Sequence, residues 1–280
     1  MDFIPKVVFG LAALAAVLGV SVWLLGTQQP SYAIQKHATI IFVALRSADR
    51  QPSRLITSDH DDVLWRGRSL HNLIGPQETY WTEFALLPEG SERLGHWRNS
   101  QGVEDIYAAE VTVTVVPNVV LGFLRFLHRA GIRRRPDGPL PDSMEAIGSR
   151  KDIMPTEYSA QKTLDLSQDT EITMVNFLAY KPSAAGGHAK GRRTYNRYGL
   201  EAMKAVHQVG GQLLFVGRVN KVLIDTEDAP TAGRWDDLAA MIYPDPSAIF
   251  YMEQLPRYTA ALQYRDEGLE RTIVIASEQQ

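Results

Sequence analysis

The sequence of 280 residues predicts an α+β protein in which an N-terminal transmembrane helix precedes two βαββαβ-type units. Three observations predict it: an uncharged apolar run near the start, short strand-like apolar runs that recur in both halves, and helical periodicities between those runs. On this reading residues 1–35 are an anchor and short spacer, and residues 36–130 a degenerate first unit ending in an apolar helix. Residues 131–170 form a Pro/Arg-containing linker, and residues 171–280 a second unit.

The first element runs from Val7 to Gly26, VVFGLAALAAVLGVSVWLLG, without a charge. Twenty helical residues rising about 1.5 Å each span roughly 30 Å, the hydrocarbon thickness of a bilayer. Trp23 suits an interfacial position. A cleaved secretory signal is the rival reading, with Ser31-Tyr32-Ala33 as its small-residue site, but the apolar run is longer than such signals use and MDFIPK is scarcely positive. The expectation is therefore a single-pass anchor through residues 7–26, with the lipid bilayer as partner and the bulk of the chain exported. Asp2 offsets Lys6, so charge gives orientation little to act on.

In the first unit, TIIFVAL at Thr39–Leu45 reads as a strand, and Val63, Gly67, Leu70 and Ile74 as one face of a helix capped by Asp59. YWTEFALL at Tyr80–Leu87 is a strand, Ser91–Trp97 a helical stretch, and AEVTVTVV at Ala109–Val116 an alternating strand. VVLGFLRFLHRA at Val119–Ala130 is an apolar helix with Arg125, His128 and Arg129 on one face; it covers a sheet or meets anionic lipid. RRRPDGPLPD at Arg133–Asp142 carries too much proline for regular structure.

The second unit is cleaner. ITMVNFLA at Ile172–Ala179 is a buried strand, and Tyr195, Tyr198, Ala202, Ala205 and Val209 mark a helix stopped by Gly210-Gly211. Leu213–Val219 and Leu238–Tyr243 are strands, Asp245-Pro246-Ser247 opens another helix with a restart at Pro256, and TIVIA at Thr272–Ala276 closes the unit. Strand, helix, strand, strand, helix, strand is the ferredoxin-like order.

Composition excludes several chemistries. With no cysteine, disulfides, thiolate nucleophiles and thiolate metal sites are ruled out. The net charge of −3 offers no field for nucleic acid; the basic pairs and triplets at Arg133–Arg135 and Arg192-Arg193 lack interleaved aromatics. Walker, dinucleotide-fold, serine-elbow and HExxH signatures are missing, and no cofactor is expected. His60-Asp61-Asp62 and His71 come nearest to a metal cluster, but eleven helical residues would separate the two histidines by roughly 16 Å. His188 and His207 stand alone, and none of these histidines is placed as a haem ligand.

The ordered series Asn176, Tyr195/Tyr198, Gly210-Gly211, Gly217, Trp235-Asp236, Tyr243-Pro244, Phe250, Met252, Tyr258, Arg265 and Leu269-Glu270 resembles the domain of unknown function 1330 family, within the dimeric α/β-barrel superfamily. The resemblance covers Glu171–Ser277. It implies ferredoxin-like sheets paired into a barrel, from two identical chains as a homodimer or from the two halves of this chain as a pseudo-dimer. It implies no particular reaction. Members often carry His before the Arg of the second helix, where this chain has Tyr264.

Residue chemistry supplies the candidates. Asn176, Tyr198, Tyr243 and Tyr258 are candidate ligand-binding groups in an apolar cavity, Arg265 a candidate anion or enolate partner, and Asp236 a candidate base. The expected function is binding of a small, largely apolar molecule, with proton-transfer or oxygen-dependent chemistry upon it. A non-catalytic interaction module at the membrane is the alternative.

Overall fold

Closure of one sheet organises the molecule. A computed structural model describes residues 3–48, 63–140, 151–182 and 187–280. Eight strands form a closed antiparallel barrel: β1 (Thr39–Ser47), β2 (Trp65–Ile74), β3 (Glu83–Pro88), β4 (Val103–Val113), β5 (Ile172–Tyr180), β6 (Gln212–Ile224), β7 (Asp237–Tyr243) and β8 (Leu269–Gln279). Around the wall they run β1-β3-β2-β8-β5-β7-β6-β4. Each half thus contributes four strands in the same permuted order, β4-β1-β3-β2 and β8-β5-β7-β6, and the β2–β8 and β4–β6 ladders close the circle.

The strands read as nearly continuous apolar runs because both faces are covered. In β5, Val175, Phe177 and Ala179 point into the barrel, whereas Ile172, Met174, Leu178 and Tyr180 pack outside it. The interior is filled: Phe42, Phe84, Tyr107, Phe177, Phe215 and Trp235 are all buried there. Phe177 lies at the centre, its ring 5.5 Å from Phe42 and 5.5 Å from Trp235 in edge-on geometry. Trp81 and Trp235 are tied through their indole N–H groups to Thr231, at Oγ1 (2.9 Å) and at the carbonyl (2.6 Å).

Helices α1 (Phe3–Thr27), α2 (Pro30–Ile34), α3 (Arg93–Arg98), α4 (Asn118–Arg129), α5 (Glu157–Leu164), α6 (Ala189–Gln208), α7 (Ala248–Tyr251) and α8 (Pro256–Gly268) lie outside. Trp97 of α3 packs on the outer face of β1, β3 and β4. α6, α7 and α8 cover the outer face of the second-half sheet. The stretch read as linker contains α5, whose Thr156–Ser159 capping box starts it and whose Ser159 and Thr163 bond Leu73 O (2.7 Å) and His71 Nε2 (2.7 Å) of β2.

The expected fold class is corrected in two respects. First, among the described residues no helix is long and apolar enough to cross a membrane, which overturns the single-pass anchor and the membrane localisation built on it. The physical reason lies in α1's partner. A Cβ on Gly122 of α4 would sit 1.9 Å from Val22 O, and one on Gly26 would sit 2.1 Å from Asn118 O, so the small residues serve a backbone-to-backbone helix crossing and bury Val22. Secondly, one closed eight-stranded antiparallel barrel, to which each half adds four strands, replaces the two separate α+β units. Within Val63–Ile74, expected as a helix, Trp65–Ile74 is strand β2 and supplies the ladder to β8. Register shifts at Ser69/His71 and Asn72/Ile74 break its two-residue alternation and left a pattern that imitates helical spacing. Asp59, the expected cap, and the His60–Asp62 cluster lie outside the described residues.

α4 does not leave all of its basic face solvated. Leu121 and Leu124 are buried, and Arg125 Nη1 donates to Gln212 Oε1 (3.0 Å) at the start of β6.

Candidate functional site

Between the outer face of the second-half sheet and the helices α6–α8 lies a cavity of about 510 Å³. That volume suits a small organic molecule. The sheet side follows from strand periodicity. Met174, Asn176, Leu178 and Tyr180 of β5 alternate outward, beside Asp237, Ala239, Met241 and Tyr243 of β7. Asn176 pairs in register with Ala239 on one side and Val274 on the other. The helical side comes from Tyr195, Tyr198, Ala202 and Val206 at helical spacing on α6, and from Tyr258 and Arg265 on α8.

Five of the six sequence-derived residues, Asn176, Tyr198, Tyr243, Tyr258 and Arg265, line this one cavity. Asp236 does not. Its carboxylate is bonded to Arg234 and to the Tyr180 backbone N–H (2.7 Å), which makes it an anchor at the mouth of β7. Its neighbour Asp237 faces the cavity instead. Asp237 accepts from the Tyr180 hydroxyl (2.7 Å) and from Arg192 Nη2 (2.8 Å), and burial lifts its carboxyl above the usual range against the pull of those two donors.

A second polar group gathers around Arg265. The Tyr198 and Tyr258 hydroxyls lie 3.2 Å apart, and Arg265 stands 5.8 Å from the Tyr198 ring centroid. Arg265 is buried, and among the described residues no ion pair reaches it; its Nη1 donates to Met154 Sδ (2.9 Å). Among the described residues the Tyr243 hydroxyl likewise reaches only a sulfur, Met252 Sδ at 3.6 Å. Burial raises the Tyr195, Tyr243 and Tyr258 phenols, so each stays neutral at physiological pH. Asn176 has less freedom than its type suggests, because its Nδ2 donates to Met174 O (2.8 Å). Tyr264 is directed to α6, where its hydroxyl accepts from Arg197 Nη2 (2.7 Å).

Glu253 was not singled out from the sequence. It lines the cavity from the 3₁₀ turn Met252–Gln254, with Oε2 buried and unpartnered. Burial pushes its carboxyl up to about 7, opposed by Arg265. The signal available was positional: Glu253 follows the apolar Phe250–Met252 and stands three residues before the Pro256 restart. His207 also lines the cavity; its Nδ1 bonds Met203 O (2.9 Å), and burial lowers its pKa. Among the described residues no group of three His, Asp or Glu could hold a metal ion.

No family model matches the chain, and no curated protein matches it significantly. Solved structures are similar at low identity. A protein of unknown function from Rhodopseudomonas palustris is 23% identical over 44% of this chain and 93% of its own, with a TM-score of 0.38. A candidate monooxygenase from Lactobacillus acidophilus is 8% identical over 86% of this chain and 93% of its own, with a TM-score of 0.42. An anthrone oxidase-like protein is 10% identical over 88% of this chain and 92% of its own, with a TM-score of 0.44. At this level of similarity no activity is carried from them to this chain.

Proposed function

We propose that this protein binds a small, largely apolar molecule between the second-half sheet and helices α6–α8. The observation that carries the proposal is the cavity of about 510 Å³, walled by apolar side chains and edged on one side by Arg265, Tyr198, Tyr243 and Tyr258. Apolar walls supply affinity in proportion to the area they cover, and a few convergent polar groups fix orientation. The resemblance of Glu171–Ser277 to the domain of unknown function 1330 family belongs to the same proposal, since part of its ordered series, Asn176, Tyr198, Tyr243, Tyr258 and Arg265 among it, lines the cavity.

Native mass spectrometry of the full chain, as purified and after incubation with 4-nitroanisole, tests the proposal. A one-to-one adduct that is lost in Met241→Trp supports it. An unliganded mass under both conditions refutes it. That outcome would favour the alternative, a non-catalytic interaction module, for which the exposed apolar side chains Val17, Val20 and Trp23 on α1 and Val119 and Phe123 on α4 are the supporting observation.

A further inference from the structure

The hydrogen-bonding capacity around Arg265 is unbalanced in a way that describes the missing partner. A guanidinium and a phenol are strong donors, yet among the described residues Arg265 Nη1 and Tyr243 Oη have only the thioethers of Met154 and Met252 as acceptors. Thioether sulfur is a weak acceptor. A buried guanidinium without a carboxylate partner is costly unless something anionic or strongly accepting reaches it. Across the same cavity, Glu253 Oε2 has the opposite need, for a donor, and no ion pair joins it to Arg265. One ligand group satisfies both: a hydroxyl on an sp² carbon, which brings a proton for the carboxylate and leaves an oxyanion for the guanidinium.

We propose that the cavity receives a weak oxygen acid with an apolar body, a phenol or an enol, that Glu253 takes its proton, and that Arg265 and Tyr243 hold the oxyanion. The inference rests on the small-molecule reading above and names its ligand class. In the step the ligand O–H bond breaks and a Glu253 Oε–H bond forms. Charge passes from the carboxylate to the ligand oxygen and nothing is oxidised or reduced. A carboxylic acid would enter already ionised and would meet Glu253 with no proton to give. A simple ketone would satisfy Arg265 and leave Oε2 unpaired. The charged and titratable groups facing the pair are Tyr195 and Tyr198 on α6, Tyr243 on β7, and Tyr258 and Asp266 on α8. Burial holds Glu253 near neutrality, where it is able to accept a proton and return it. An adjacent guanidinium lowers the pKa of an oxygen acid by about 1–3 units, which brings a phenol within reach of such a carboxylate.

The test uses the full chain and 4-nitrophenol, whose ionised form absorbs visible light, with its methyl ether 4-nitroanisole as a control that has no proton. Bound 4-nitrophenol is expected to ionise at least one pH unit below the free compound. At pH 8 and above in weak buffer, where free 4-nitrophenol and Glu253 are both mostly ionised, the wild type should take up close to one proton on binding the phenolate, because Glu253 gains it; Glu253→Gln should take up none. Arg265→Met should abolish the downward shift and Arg265→Lys should restore part of it, each with its fold checked by circular dichroism. Binding of 4-nitroanisole together with an unshifted 4-nitrophenol titration in the wild type overturns this inference and leaves the cavity reading standing. Failure of both compounds to bind overturns both.

Discussion

Alternate residues of the paired strands β5 and β7 face opposite compartments, so substitutions on the two faces of this sheet should separate stability from binding. Phe177 is fully buried in the barrel, against Phe42, Tyr107 and Trp235. Phe→Ala in a closed core costs about 3–5 kcal/mol, and the loss of edge-on ring contacts places Phe177→Ala toward the upper part of that range. For a protein of this size that corresponds to a fall in Tm of roughly 10–15 °C. Met241 projects to the other side of the wall, into the 510 Å³ cavity. Met241→Trp places its extra ring in open space, so its cost should stay near ~1 kcal/mol, below that of overpacking a full core. It should nonetheless weaken 4-nitroanisole binding at least tenfold, about 1.4 kcal/mol. Urea midpoints with unchanged m report the first effect, and a binding titration well below Tm reports the second. Phe177→Ala should keep its affinity in the folded state. If Phe177→Ala loses binding while folded and Met241→Trp keeps it, the ligand space is inside the barrel and the separation of compartments is wrong.

Three further outcomes follow from particular contacts. Burial lowers His71 to about 4, whereas an unfolded histidine titrates near about 6.5. The unfolded state therefore binds more protons between those values, so His71's contribution is fully present above about pH 6.5 and is lost as pH falls toward 4. The change is on the order of 3 kcal/mol, and His71→Gln should flatten the urea-midpoint profile across that window. Gly122→Ala puts a methyl group 1.9 Å from Val22 O, so α1 must move off α4; limited proteolysis should show earlier cleavage in α1, and an unchanged pattern would refute the close crossing. Arg192→Met removes a 2.8 Å donor from the buried Asp237 carboxylate and should cost about 1.5–3 kcal/mol, with Asp237→Asn in the same background recovering part of it in denaturation midpoints.

The second half was the legible half because its periodicities are regular and its faces are covered. Tyr198 and Ala202 on α6, and Asn176 on β5, could be placed by spacing alone, and they meet at the cavity. The choice of Asp236 over Asp237 shows how narrow that reading is. Strand alternation from Tyr243 back through Met241 and Ala239 arrives at Asp237, and a one-residue slip exchanges cavity for edge. β2 was illegible for a stronger reason, since two register irregularities remove the period that identifies a strand. The apolar run of α1 misled because a helix packed by glycine against another helix and a helix surrounded by lipid draw on the same residues. Glu253 could not be found by type, because an isolated glutamate in a turn is most often a solvated one.

Closure of the barrel has a consequence for the site outside it. A ligand held against an open sheet edge would lose precision with every fluctuation of the edge strand. Here β5 and β7 are paired on both sides, β5 between β8 and β7, and β7 between β5 and β6. Behind Asn176, Ala239 and Met241 stand Phe177, Leu238 and Ala240 in a filled interior, so the floor of the cavity is backed by a packed core. Its roof is of another kind. α6 and α8 meet each other through Tyr195, Tyr198, Tyr258 and Ala261, and α8 is entered through the turn that carries Glu253. Arg265 and the proton-accepting Glu253 therefore sit on the helical side, over a rigid floor that supplies Tyr243. Tyr243 apart, substitutions in the floor should change which molecule fits, and substitutions in the roof should change how its proton is held.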